Sequence, residues 1–346
     1  MKQYKKWIWN GLFCAALFAV TFWYIFRRHD FAHVWALIRE AQPEWCALGV
    51  ALVLGFILSE SYIIWYLMRA IGQKAQLTHC ILYSFVGFFF SAITPSASGG
   101  QPAQVYFMKK DRIPLSVAIP VLTVVTVLYK LVLIVLSAVV LIFRPANVMR
   151  YLSPSIGWVW LGLGLNAAFV AGLLLLMFRP NAAHRGAYAV IRLYAHLFRH
   201  ADTAKLCARV DAGIEKYTHV TECFARNTLT VLRAFIFTLL QRVALFSVTW
   251  CCCMAYRLHY VRALTVTTLQ AMIAVSADMM PLPGGTGISE ALFMQVFDEM
   301  FGRKLTLPIM LLSRGISYYA QILFGAVFTV AAVLIIGHKK KGIEKE

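Results

Sequence analysis

Long apolar runs separated by short basic and polar clusters set the pattern of this sequence. Six runs are long enough to cross a bilayer core of about 30 Å as helices. They are Trp7–Phe26, Trp45–Met68, Pro114–Phe143, Ile156–Phe178, Thr228–Tyr256 and Leu305–Gly337. Two more apolar segments are interrupted in the middle: His79–Met108 by "TPSASGGQP" at 94–102, and Ala263–Phe301 by "PLPGGTGISE" at 281–290. Lipid offers no partner to an open backbone, so non-helical chain at that depth must be buried in protein or line a wet cavity. Each break could be an irregular span. The reading favoured here is two short helices folded into a hairpin. The expected fold is an all-α polytopic membrane protein with about six full spans plus two glycine-broken re-entrant hairpins, eight hydrophobic segments in all.

The two halves, 1–145 and 146–346, repeat the order span, span, broken segment, span. An odd number of crossings inverts the second half relative to the first. Local sequence echoes the order. Pro95 precedes Gly99–Gly100 and Phe107–Met108, as Pro281 precedes Gly284–Gly285 and Phe293–Met294. Lys130 lies 30 residues beyond Gly100, and Arg314 lies 29 beyond Gly285. The pattern predicts an inverted repeat with broken helices, an arrangement that places a transporter's site near the midplane.

Composition agrees: 60% of residues are hydrophobic and the mean hydropathy is +0.70. The net charge of +18 invites a nucleic-acid reading. The basic residues instead cluster at the ends of apolar runs, as the positive-inside bias and anionic headgroups require, so no nucleic-acid partner is expected. With two hairpins, one side carries 20 Lys and Arg (N-terminus, 69–112, 179–227, C-terminus) and the other 9. Both termini are therefore expected in the cytoplasm. Lys2, Lys5 and Lys6 precede the first run as in a signal peptide, but its length and the Arg27–Arg28 pair predict an uncleaved anchor. Residues 179–227 read as a cytoplasmic helical linker, with Leu206, Val210 and Ile214 on one face.

The eight cysteines lie mostly in apolar runs and suggest no disulfide framework. Consecutive Cys251, Cys252 and Cys253 point in different directions on a helix, and no carboxylate separates His196 from His200. No metal site is expected. No Walker motif is present, so no ATP and no other cofactor are expected.

Glu60, Lys130, Arg233, Arg242, Asp278, Glu290 and Arg314 all lie within apolar segments. Ionisable groups at that depth are functional candidates by default. Arg233, near the start of its span, can snorkel to the interface. Lys130, Arg242 and Arg314 lie deeper and suit phosphate, Arg as a fork of donors and Lys as a point charge. Asp278 and Glu60 can neutralise these cations or, for Asp278, meet a headgroup amine. Glu290 either favours its own helix dipole, or pairs with a buried cation, gates the site or meets a headgroup amine. Gly99, Gly100, Gly284, Gly285, Thr286 and Gly287 start half-helices whose free N–H groups could bind an anion. Alternatively, the glycines serve only close packing. Gln101 and Gln104 could cap a half-helix or contact a headgroup.

The stretches "ITPSASGGQPAQVYFM" (93–108) and "PLPGGTGISEALF" (281–293), with the span pattern, resemble the lysylphosphatidylglycerol synthase transmembrane family over about residues 5–340. This is the flippase-like domain of the multiple peptide resistance factor. The resemblance implies a bacterial cytoplasmic-membrane protein that moves phosphatidylglycerol or its aminoacylated form between leaflets. It also implies resistance to cationic antimicrobial peptides, and a separately encoded synthase as a candidate partner. The sequence ends at "GHKKKGIEKE", so neither the family's synthase domain nor its lysyltransferase activity is expected. The alternatives are a headgroup-modifying transferase, a membrane partner of such an enzyme, and a transporter of a small anion.

Overall fold

The computed structural model describes residues 39–94, 97–179, 217–280, 285 and 287–338. The expected first span and the Leu206, Val210, Ile214 face lie outside these residues. All regular structure among the described residues is helical. The first half contributes α1 (Pro43–Ala70), α2 (Leu77–Ile93), α3 (Gly100–Lys110) and α4 (Leu115–Phe143). A short α5 (Ala146–Leu152) and a 3-10 turn lead into α6 (Ile156–Phe178). After a helical stretch at 217–226 come α7 (Thr228–Ala255), α8 (Ala263–Ala277), α9 (Ile288–Phe301) and α10 (Arg303–Arg314). A π-helical turn (Gly315–Tyr319) joins α10 to α11 (Ala320–His338).

Five stretches are long and apolar enough to cross a membrane: Pro43–Ala70, Leu115–Phe143, Ala146–Met177, Thr228–Ala255 and Lys304–Ile336. They coincide with five of the six expected spans, and the chain is a multi-pass membrane protein. Outward-facing side chains such as Ile142, Phe143, Trp160 and Leu240 are exposed, as suits positions facing lipid tails. Arg233 is exposed near the start of α7.

Both interrupted segments fold back on themselves. At the mouth of the first, His79 near the start of α2 pairs with Asp111, just past the end of α3, and the Tyr83 hydroxyl donates to the same carboxylate. At the mouth of the second, the Tyr260 hydroxyl donates to the Met300 carbonyl at 3.2 Å. There α5 bridges the two arms: the Asn147 amide donates to Thr265 at 2.9 Å, and Arg150 pairs with Glu299 at 2.7 Å.

The hairpins open at opposite ends of the molecule. The Gln42 amide, before α1, donates to the Ala255 carbonyl at the end of α7, so these long helices run antiparallel. The first mouth follows the end of α1 and the second follows the end of α7. Packing between the halves is reciprocal: α2 lies against α11 of the second half, and α8 lies against α4 of the first. Large apolar cores form toward both ends of the molecule, with a small cluster of Phe89, Ala92, Tyr318, Ile322 and Ala326 between the first hairpin and the last span. One large core holds Met68, Phe107 and Ile113 at the first mouth; the other holds Val148, Leu258 and Phe301 at the second.

Candidate functional site

The hairpin tips meet at a cavity of about 250 Å³. The first hairpin contributes Ser91, Ala92 and Ala97, and the second contributes Ala277, Asp278, Gly285 and Ser289. Arg242 and Thr249 reach it from α7 and Tyr129 from α4. Arg314, Ser317, Tyr318 and Gln321 share one face of the last span at i, i+3, i+4 and i+7. The π turn at 315–319 lies within that face. Such turns interrupt the regular ladder and recur at functional sites. The Tyr318 hydroxyl crosses to the Ala92 carbonyl at 2.7 Å and ties the last span to the first hairpin.

Two arginines give the cavity its charge. Arg242 is 9% exposed and packs face-on against the Tyr129 ring, with its guanidinium carbon 3.6 Å from the ring centroid. Among the described residues its buried Nε has no hydrogen-bond partner. Among the described residues Arg314 has one carboxylate near, Glu290, at 3.8 Å from its Nε, and its buried Nη2 has no partner. The Gln270 Oε1, also buried in this wall, has no partner among the described residues either. Native interiors satisfy nearly all buried polar atoms, so three orphans around one cavity mark a place built for a polar guest.

Asp278, at the tip of the second hairpin, accepts from both the Tyr129 hydroxyl and the Lys130 ammonium of α4. Lys130 also contacts the Met279 sulfur at 3.1 Å and lies near the Phe169 ring. Its charge is turned to Asp278, and the residue stands behind the cavity wall. Glu290 caps its own helix and faces a buried cation, two of the roles open to it. Its Oε2 accepts from the Gly287 amide at 2.6 Å, capping α9, while its Oε1 faces Arg314.

The glycines divide by half. A Cβ on Gly100 would sit 1.9 Å from the Ser91 hydroxyl and 2.6 Å from the Gly87 carbonyl, so α3 meets α2 only because the side chain is absent. Gly99 donates its amide to Thr94 at 2.8 Å. In the second hairpin, Gly285 (φ +62°) and Gly287 (φ +92°) take left-handed backbone that L side chains resist. Gly284 and Thr286 lie outside the described residues.

Gln101 donates to Thr126 and joins α3 to α4. Gln104 donates to buried Glu60 at 3.3 Å. Thus Arg242, Arg314, Asp278 and Gly285 are brought together at the cavity, whereas Gly99 and Gly100 close the first hairpin beside it and Gln101 and Gln104 tie that hairpin to α4 and α1.

Gln270, Tyr129 and Tyr318 have no counterpart among the residues singled out from sequence. A glutamine or tyrosine in an apolar helix carries no charge to flag it. The one available signal was that Gln270 interrupts the apolar run of a broken segment, as Gln241 does beside Arg242.

No individual curated relative matches this sequence. The family described as the lysylphosphatidylglycerol synthase TM region matches residues 11–325, nearly the whole chain, and spans both hairpins, the cavity and its two arginines. The chain belongs to that family, and its helices are those of a multi-pass membrane protein associated with membrane lipid.

Proposed function

We propose that the protein is a lipid translocase of the bacterial cytoplasmic membrane. In this reading it moves phosphatidylglycerol or its aminoacylated form between leaflets, with the headgroup in the central cavity and the acyl tails left in the bilayer. The observation that carries it is the pair of unpartnered buried guanidinium nitrogens, Arg242 Nε and Arg314 Nη2, in a cavity between two hairpin tips at membrane depth. A phosphate supplies acceptors for both. Charge-assisted bonds of this kind are the strong ones, and they gain further in a site shielded from water.

The two halves, 1–145 and 146–346, act as inverted repeats. Hairpins opening at opposite ends, and the reciprocal packing of α2 on α11 and α8 on α4, support this. Rocking one half against the other exposes the same cavity to each side in turn. Both termini and the linker 179–227 face the cytoplasm, on the side with the excess of Lys and Arg.

The test is leaflet exchange. Purified protein in phosphatidylglycerol-containing vesicles should expose inner-leaflet fluorescent lipid to a membrane-impermeant quencher, while protein-free vesicles should not. Equal quenching in both would remove the translocase reading.

A further inference from the structure

We infer that the cavity selects a phosphodiester headgroup bearing hydroxyls and rejects headgroups bearing an ammonium. Of the two cargoes proposed above, this favours phosphatidylglycerol itself over its aminoacylated form, and the inference rests on the cavity being a headgroup site.

A buried ammonium needs an anionic partner, because taking it out of water unpaired is costly. Among the described residues Asp278 is the one carboxylate in the cavity wall, and it already serves Lys130 and the Tyr129 hydroxyl. Glu290 stands just behind, with one oxygen on the Gly287 amide and the other facing Arg314. The negative charge of each carboxylate already faces a cation, Lys130 for Asp278 and Arg314 for Glu290, and an amine in the cavity would face two guanidinium groups.

The neutral lining supplies what hydroxyls need. The Gln270 amide presents a buried, unpartnered oxygen, and a ligand hydroxyl, which donates and accepts, suits that group. The Ser289 and Ser317 hydroxyls donate to backbone carbonyls one turn back, at 2.9 and 2.6 Å. Their oxygens keep lone pairs free to accept from a ligand hydroxyl. Two cationic donors beside a set of neutral acceptors match a phosphate carrying a short polyol.

The experiment measures binding to the purified full chain by calorimetry with short-chain lipids. Four are compared: phosphatidylglycerol, phosphatidylpropanol (the same charge without hydroxyls), phosphatidylethanolamine and lysylphosphatidylglycerol. Glycerophosphoglycerol, the headgroup without tails, is the soluble control. Phosphatidylglycerol should bind at least about tenfold more tightly than either amine-bearing lipid, the size of effect that a like-charge clash inside a site produces. It should also exceed phosphatidylpropanol about fivefold, as expected for a hydrogen bond to a buried amide. Gln270→Leu should erase the second preference and keep the first.

Equal or tighter binding of the lysylated lipid overturns the inference, whether or not exchange occurs. Absence of the hydroxyl preference in the unaltered protein overturns its polyol half. If glycerophosphoglycerol binds as tightly as the lipid, the headgroup chemistry stands and the lipid translocase reading falls. Exchange without headgroup preference leaves the translocase and removes the selectivity.

Discussion

Lys130 and Asp278, 148 residues apart in the sequence, form a buried ion pair that fastens α4 of the first half to the tip of the second hairpin. The same Tyr129 that donates to Asp278 carries Arg242 on its ring face, so the pair also sets one wall of the cavity. Breaking such a pair from one side leaves an uncompensated buried charge. Lys130→Met should therefore destabilise the protein by about 3–5 kcal/mol, and adding Asp278→Leu should restore most of that loss. Chemical denaturation of the parent, the single and the double variant checks this; a single variant as stable as the parent would mean that the pair holds nothing together.

The glycine pair of the first hairpin is a packing device. Gly100→Ala places a methyl group against the Gly87 carbonyl, which is backbone and cannot swing away. The cost should be about 1–3 kcal/mol, the usual penalty of overpacking, and a lowered melting temperature reports it. An unchanged melting temperature would show that the two arms are not in close contact.

The spans were legible in the sequence because lipid imposes one rule: a run must be apolar and about 20 residues long. Pro114–Phe143 and Thr228–Tyr256 answer it within a residue of α4 and α7. The breaks were legible because glycine and proline crowd into apolar context. The partners were not. Lys130 and Arg314 hold corresponding places in their halves, yet Lys130 meets the other half's hairpin while Arg314 meets Glu290 of its own. Spacing along one chain cannot show which charges face each other across helices. The roles of Gly99–Gly100 and of Gly285 and Gly287 also look alike in sequence. They differ only in whether a neighbour's backbone or a positive φ excludes a side chain.

Glu290 tests how the cap and the ion pair divide the work. Glu290→Gln keeps an acceptor for the Gly287 amide and loses the charge facing Arg314. Stability should fall by only about 0.3–1 kcal/mol, the usual contribution of a charge near a helix N-terminus. Lipid exchange should fall about tenfold, because an arginine without its carboxylate holds the phosphate too firmly, at about 1.4 kcal/mol per factor of ten. Normal exchange by this variant would reduce Glu290 to a helix cap.

The orientation has its own test. With the native cysteines replaced, a cysteine at Asn147 or His259 should react with an impermeant thiol reagent in intact cells, and one at Lys74 should not. The first two sit at the second hairpin's mouth and the third at the first's. The reverse pattern would place the termini outside.

In the proposed mechanism Arg242 and Arg314 hold a lipid phosphate between the hairpin tips. Arg242→Gln with Arg314→Gln removes both charges and leaves the Lys130–Asp278 pair untouched. Leaflet exchange in reconstituted vesicles is the direct measurement, with insertion and folding checked by size-exclusion elution. The account predicts a well-folded variant whose exchange drops to the protein-free rate. Exchange at the parent rate would contradict it and leave the cavity a packing defect between two hairpins.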